Sequence, residues 1–298
     1  MIKRKAKFLY GMSKGEVAFE IVNMLFLALI AFTTLYPFWY VAVKSIMTFE
    51  EAVQTPIIIF PKTFSVSAYE YIFATSKLVQ SMMITVAFTV VATLWQLACT
   101  AITAYALSKN DLPGRNILFN FIIVTMFFGG GLIPNYLLIK NLGLMNSYLA
   151  LILPGTVGTY NMIVMKTFFI GIPVSLEESA RIEGASYFKI FTKIILPLSA
   201  PVLATITLFL AVGHWNSWYA PLLYLTDSSK WPMALVLRQI LVKSDINTLS
   251  SSYVSENYML SDQIKMACIM LSIIPIIIVY PFLQKYFAKG VMIGSVKE

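Results

Sequence analysis

Six stretches of this chain carry no charged residue at all: 21–43, 78–108, 116–139, 141–165, 194–226 and 266–284. The shortest has 19 residues and the longest 33. A helix needs about 20 apolar residues to cross the hydrocarbon core of a bilayer. Barrel strands alternate apolar and polar residues over about 10 positions, whereas 21–30 does not alternate. The expected fold is therefore all-α: a polytopic membrane protein with six transmembrane helices, at about 21–43, 82–107, 117–139, 148–171, 200–222 and 266–287. Together they form one transmembrane domain over 1–298. Composition agrees, since 58% of residues are hydrophobic and 12% charged, against roughly 25% charged in soluble domains.

Six crossings place both termini on one side. That side holds Lys3, Arg4, Lys5, Lys7, Lys14, Lys109, Arg115, Lys166, Arg181, Lys189, Lys193, Lys285, Lys289 and Lys297, 14 of the 22 basic residues. Cytosolic loops carry the excess of Lys and Arg, so both termini are expected in the cytoplasm of a bacterial cell with the chain multi-pass in its inner or plasma membrane. The basic start resembles a signal peptide, but 21–43 is too long for its apolar region and lacks a clear small-residue cleavage site. It reads as a retained first helix. The net charge of +8 comes without a basic stripe interleaved with aromatics, so no nucleic acid is expected; membrane lipid is. Cys99 and Cys268 sit far apart in separate apolar runs and read as small core residues, not as a metal site or disulfide.

Two outer segments, 44–77 and 227–265, carry aromatics such as Tyr69, Tyr71, Trp231 and Tyr253, suited to short helices resting on the membrane. The inner loop 108–115 reads as a tight turn through Asp111, Pro113 and Gly114. Helix breakers fall inside three spans: Gly129, Gly130, Gly131 and Pro134 in the third, Pro154, Gly155 and Gly158 in the fourth, and Pro275 in the sixth. Breaks at membrane depth are tolerated where freed backbone groups face protein or a watery cavity. No span contains an acidic residue, and basic residues lie only at span ends. Coupled transporters usually bury ionisable groups, and the chain has no GxxxxGK[ST] phosphate loop. Transport energy, if used, comes from a partner, and no enzymatic activity is expected. A secondary transporter or a passive channel for small polar solutes is the alternative.

The inner segment 172–197 is short, charged and hinged by Gly184. Ser175 and Glu178 fit a capping box that starts a two-turn helix, with Leu176, Ala180 and Glu183 on one side. A second helix, about 186–195, places Phe188, Phe191 and Ile195 on a packing face, and Pro197 marks entry to the fifth span. The expectation is a cytosolic helix–turn–helix elbow with Ser179, Ala180 and Ala185 exposed for close approach.

Glu178, Ser179 and Ala180, followed by Gly184 and then Ile194, Leu196 and Pro197, keep the frame of a known signature. The segment resembles the EAA motif of ATP-binding-cassette (ABC transporter) importer permeases, departing only in Ser179 for Ala. The stretch His214 to Leu222 resembles the fifth-span motif of sugar-importer permeases, and Lys289 to Gly294 their C-terminal tail. The likeness is to the smaller six-span permease of maltose-type carbohydrate importers, and 129–146 is similar to the branch serving complex oligosaccharides and uronides. The resemblance implies carbohydrate transport, with oligosaccharide import into the cytoplasm by alternating access. It also implies a homologous second permease subunit, two ATPase subunits that bind ATP and Mg, and an extracellular solute-binding protein. Glu178 to Gly184 would be the coupling helix seated in the ATPase. No cofactor or metal is expected on this chain itself.

A candidate substrate pathway lies near the outer half of the fifth span. Trp215, Trp218 and Tyr219 are spaced i, i+3 and i+4 and would share a helix face, flanked by His214 and Asn216. Aromatic planes suit the C–H faces of sugar rings, and amides and imidazole suit their hydroxyls. Trp218 and Tyr219 equally suit an interfacial aromatic belt. Tyr160 and Asn161 of the fourth span are further candidates.

Overall fold

The computed structural model describes residues 13–48, 50–51, 60–250, 263–279 and 281, with side chains left out at 243–250. The C-terminal tail motif and Tyr253 lie outside the described residues. Helix is the dominant structure, and among the described residues the only extended pairing is one antiparallel bridge, Met47 with Phe64. The chain divides into two compact units, residues 1–71 with 252–270 and residues 72–251 with 271–298.

The first unit contains α1, Lys14–Ser45. Ser13 and Glu16 cap it reciprocally in a capping box, which satisfies two of the helix's unpaired amides. At 1.5 Å per residue, 32 residues extend about 48 Å, more than a hydrocarbon core. None of its most apolar window is buried. An apolar surface of that length suits lipid as solvent. Beyond α1, the Glu51 carboxylate accepts from the backbone amides of Lys62 and Thr63. The Gln263 amide donates to the Met47 carbonyl at 2.8 Å.

Helices α2 (Ser67–Ala74) and α12 (Met233–Ser250) occupy the two outer segments. The longest helix is α3, Ser76–Ser108, and it packs against α7 (Thr159–Ile170) and α10 (Ala200–Trp215). Small residues make this close contact possible: Ala101 and Ala104 of α3 are buried among Met162, Met165 and Phe169 of α7 and Val202 and Ile206 of α10. Without a hydrophobic drive between helices in lipid, close backbone approach supplies packing energy.

Three spans are bent. Helix α4 (Arg115–Phe127) meets α5 (Leu132–Asn141) at 118°, and α6 (Leu149–Gly155) meets α7 at 50°, at the glycine and proline clusters identified above. The third bend, 82° between α9 (Tyr187–Leu198) and α10, lies between the elbow's second helix, expected at about 186–195, and the fifth span, expected at about 200–222. The charge-free run 194–226 breaks at Ser199, because Pro201 starts a new helix at its N-terminal end, where its missing amide and fixed φ fit best. Pro275, in contrast, interrupts nothing: α13 (Gln263–Val279) runs through it. Two described helices are long and apolar enough to cross a membrane, and five such spans result if each bent pair counts once. Helix α13 has 17 described residues.

Thr85 and Thr89 separate two roles for a buried hydroxyl. Thr85 accepts the Met233 amide that opens α12 at 2.8 Å, whereas the Thr89 hydroxyl, one turn further along α3, is buried with no partner among the described residues. Thr85→Val should lower stability by about 1–3 kcal/mol by orphaning that amide. Thr89→Val should be neutral or stabilising, as read by thermal unfolding in one detergent.

The elbow and the polar network of the candidate pathway

The elbow begins two residues earlier than the expected capping box places it. Helix α8 is Val174–Ile182, with Pro173 at the N-cap and no side-chain cap. The expected capping box is absent: Ser175 lies inside the helix, and its carbonyl accepts the Ser179 hydroxyl at 2.8 Å. The helix ends in a Schellman turn. The Gly184 amide bonds Arg181 and the Ala185 amide reaches Ala180, both at 2.9 Å, and Gly184 takes φ +80°. That left-handed conformation is the reason for glycine there.

Ala180 does not lie on the outside. It is buried with Ile190, Phe191 and Ile195 against α3 and α7, so its small size serves inward packing. Ser179, Glu178 and Gly184 are exposed. So is Phe188, expected on the packing face, while Ile182 is 87% exposed. The second helix is not regular: residues Phe191–Ile195 form a π turn. A proline ring clashes with the carbonyl four residues earlier, and the wider turn preceding Pro197 relieves that clash. Ile194 and Leu196 pack half-buried on the core, and Pro197 is exposed.

The side chain that fastens the elbow inward is Glu177. It is buried and ion-paired to Lys109 at the end of α3. The Tyr105 hydroxyl lies 3.4 Å from the same carboxylate, and the Lys109 ammonium sits 4.3 Å from the Tyr105 ring centre. Nearby, the Tyr187 hydroxyl donates to Asp111 at 3.3 Å, and Arg181 stacks 4.5 Å over the Tyr187 ring. These contacts tie the elbow to the 105–111 turn. No motif points to them, since 68 residues separate Lys109 from Glu177.

The pathway candidates are distributed differently from a shared helical face. Helix α10 stops at Trp215, and the next helix, α11, starts at Tyr219. Trp215, Trp218 and Tyr219 therefore do not form one stripe. Asn216 caps the break, its side-chain amide bonding the Val212 carbonyl at 3.0 Å. The Trp215 indole donates to the Ser272 carbonyl at 2.9 Å, and its ring lines an apolar cavity of about 380 Å³ with Thr93, Thr207, Ala211 and Pro275. Trp218 meets Tyr219 edge-on, with ring centres 5.4 Å apart, and the Arg238 guanidinium lies 3.6 Å over its ring. Tyr160 is exposed, and Asn161 is half-buried beside Gly158.

His214 sits within a network. Its Nε2 is 3.0 Å from Oε1 of Gln96 on α3, the Gln96 amide nitrogen donates to the Gly155 carbonyl at the broken fourth span, and the Phe88 ring meets the imidazole edge-on at 5.4 Å. Gln96 was not among the expected site residues. Its signal is present nonetheless, as the one primary amide within the expected second span, 82–107. Among the described residues no group of three His, Cys, Asp or Glu side chains is placed to hold a metal.

The binding-protein-dependent transport system inner membrane component family matches residues 11–293. Protein LplC of Bacillus subtilis (strain 168) is 45% identical over 285 residues, covering 96% of this chain and 97% of that protein. The polygalacturonan/rhamnogalacturonan transport system permease protein YtcP of the same strain is also 45% identical, over 94% of this chain and 98% of its own. One solved structure, a bacterial ABC transporter involved in the import of the acidic polysaccharide alginate, contains a chain 33% identical with a TM-score of 0.84; the match covers 93% of this chain and 99% of that one. Extensive apolar helices, a bent charged elbow and agreement over nearly the whole length lead to one assignment: the chain belongs to the family of binding-protein-dependent transport system inner membrane components.

Proposed function

We propose that this chain is the six-span permease subunit of an ATP-driven importer of oligosaccharides, acidic ones among them, and that α8 is the helix through which separate ATPase subunits drive it. One observation carries the reading: the elbow has two chemically distinct sides. Glu177 and Ala180 are buried against α3 and α7, while Glu178, Ser179, Ile182 and Phe188 are presented outward. Burial of Ile182, 87% exposed, against a protein partner would remove its apolar surface from water, which is favourable. ATP binding closes the ATPase pair and moves the elbow, and the cavity between this chain and a homologous second permease changes its open side. An extracellular solute-binding protein delivers the sugar to the outer loops. The termini are cytoplasmic, in agreement with the 14 basic residues on that side. The acidic sugar class is supported by the polysaccharides in the names of the similar proteins.

In this reading each residue of the frame has a task. Glu178 seats the elbow, Gly184 makes its turn, and Ile194, Leu196 and Pro197 join it to α10. The Glu177–Lys109 pair acts as a strut that carries displacement of α8 into α3, because a buried ion pair resists the separation of its partners. His214, Trp215, Asn216, Trp218 and Tyr219, with Tyr160 and Asn161, border the sugar route.

Two experiments follow. Glu178→Lys, and Gly184→Pro, which forces the wrong sign of φ, should each abolish ATP-dependent uptake in cells while the chain still reaches the membrane; normal uptake in both would defeat the coupling role. Glu177→Leu or Lys109→Met alone leaves a buried charge unpaired and should cost about 3 kcal/mol of stability, with the double variant recovering part of it. Thermal unfolding of the four proteins in detergent measures that cycle, and strict additivity would remove the strut.

A further inference from the structure

We propose that Gln96 is a positioning residue for the sugar route: it holds the His214 imidazole with its proton on Nε2, leaving Nδ1 as a hydrogen-bond acceptor for a saccharide hydroxyl. The second clause rests on the pathway reading above; the first stands on geometry alone.

Gln96 lies 14 residues from one end and 11 from the other of the expected span 82–107, which places it about 21 Å and about 17 Å from those ends. It is buried. A primary amide at that depth must find its partners within the protein. The break between α6 and α7 supplies one, because the Gly155 carbonyl has no backbone partner among the described residues and accepts from Gln96 Nε2. A carbonyl can only accept, so the nitrogen end of the amide must face Gly155 and the oxygen end must face His214. Flipping the amide would set two oxygens against each other. The oxygen then meets imidazole Nε2 at 3.0 Å, and only a protonated Nε2 bonds to it. The orientation of the amide therefore selects the tautomer of the ring.

The fit depends on glycine at 155. A Cβ there would come within 2.9 Å of Gln96 Nε2 and would displace the amide. On the other side of the network the His214 ring is only partly buried. Its Nδ1 makes no hydrogen bond to any described residue. In a neutral ring with Nε2 protonated, Nδ1 carries the lone pair. A sugar hydroxyl, which needs an acceptor once it leaves water, matches that atom.

The chain contains one histidine, so ¹⁵N-histidine labelling of the full chain, purified through a histidine-free tag and placed in nanodiscs, reports a single ring. The expected spectrum shows a protonated Nε2 and a bare Nδ1. Gln96→Leu should release the ring into a tautomer average. A bare Nε2, a doubly protonated ring at neutral pH, or a spectrum unchanged by Gln96→Leu overturns the assignment. A second arm uses the assembled transporter and an oligogalacturonide digest as the probe sugar. Asparagine keeps an acceptor near the Nδ1 position, and glutamine keeps only the Nε2-side contact. His214→Asn should therefore retain more uptake than His214→Gln, and Gln96→Leu should raise KM about fivefold, the loss of one neutral hydrogen bond, with little change in maximal rate. The reverse order, with His214→Gln the better transporter, makes the network a structural clamp and defeats the acceptor role. If the tautomer is as stated but neither His214 variant alters uptake, the pathway reading fails while the Gln96–His214 assignment stands.

Discussion

Hydrocarbon offers a broken helix no hydrogen bonds, and this single constraint organises the protein's interior. Every interruption of a span frees carbonyls and amides that must be answered by other parts of the chain. The break after α6 is answered by Gln96 and the start of α12 by Thr85. At the end of α10 the Asn216 side chain adds a second bond to the Val212 carbonyl, which also accepts the Asn216 backbone amide. The Trp215 indole, in turn, takes the Ser272 carbonyl. Gln96, Thr85 and Asn216 are thus located where the backbone departs from helix. A protein that must move cannot be a bundle of straight rods, and its breaks are the places where it can bend.

The elbow follows the opposite logic, since it lies among charged residues. Its inner side is fastened by the Glu177–Lys109 pair and by Ala180, Phe191 and Ile195 in the core. Its outer side is left with Glu178, Ile182 and Phe188 uncovered. The coupling role proposed above requires both a rigid attachment and a free surface. The π turn before Pro197 and the 82° bend at Ser199 set the direction in which the attachment leads into α10.

Much of this was legible in the sequence, and what was missed has physical causes. Glycine and proline clusters announced the breaks at 128–131 and 153–158 because they alter the backbone locally. The elbow frame was legible for the same reason: Gly184 is required by its positive φ. Pro275 misled, because a proline marks a possible kink and helix α13 absorbs it. Ser175 and Glu178 imitate a capping box, yet Pro173 is already extended and the helix starts at Val174 ahead of them. Helical spacing suggested a common face for Trp215, Trp218 and Tyr219, but the spacing argument assumes a continuous helix and α10 ends at Trp215. The Glu177–Lys109 pair and the Gln96–His214 contact join residues 68 and 118 positions apart. Such pairings depend on how α3 packs, which no local pattern encodes. Gln96 carries no charge, so charge patterning does not single it out.

The account turns on where the free side of the elbow goes. The most direct measurement places a single cysteine at Ile182, 87% exposed, in a chain whose Cys99 and Cys268 are replaced by alanine, and follows disulfide cross-linking within the assembled transporter. The account predicts cross-linking to an ATPase subunit carrying a cysteine in its docking cleft, at a yield that changes when nucleotide is added, with no labelling by a membrane-impermeant thiol reagent applied from outside. Labelling from outside, or a cysteine at position 182 that cross-links to no ATPase position, would contradict it.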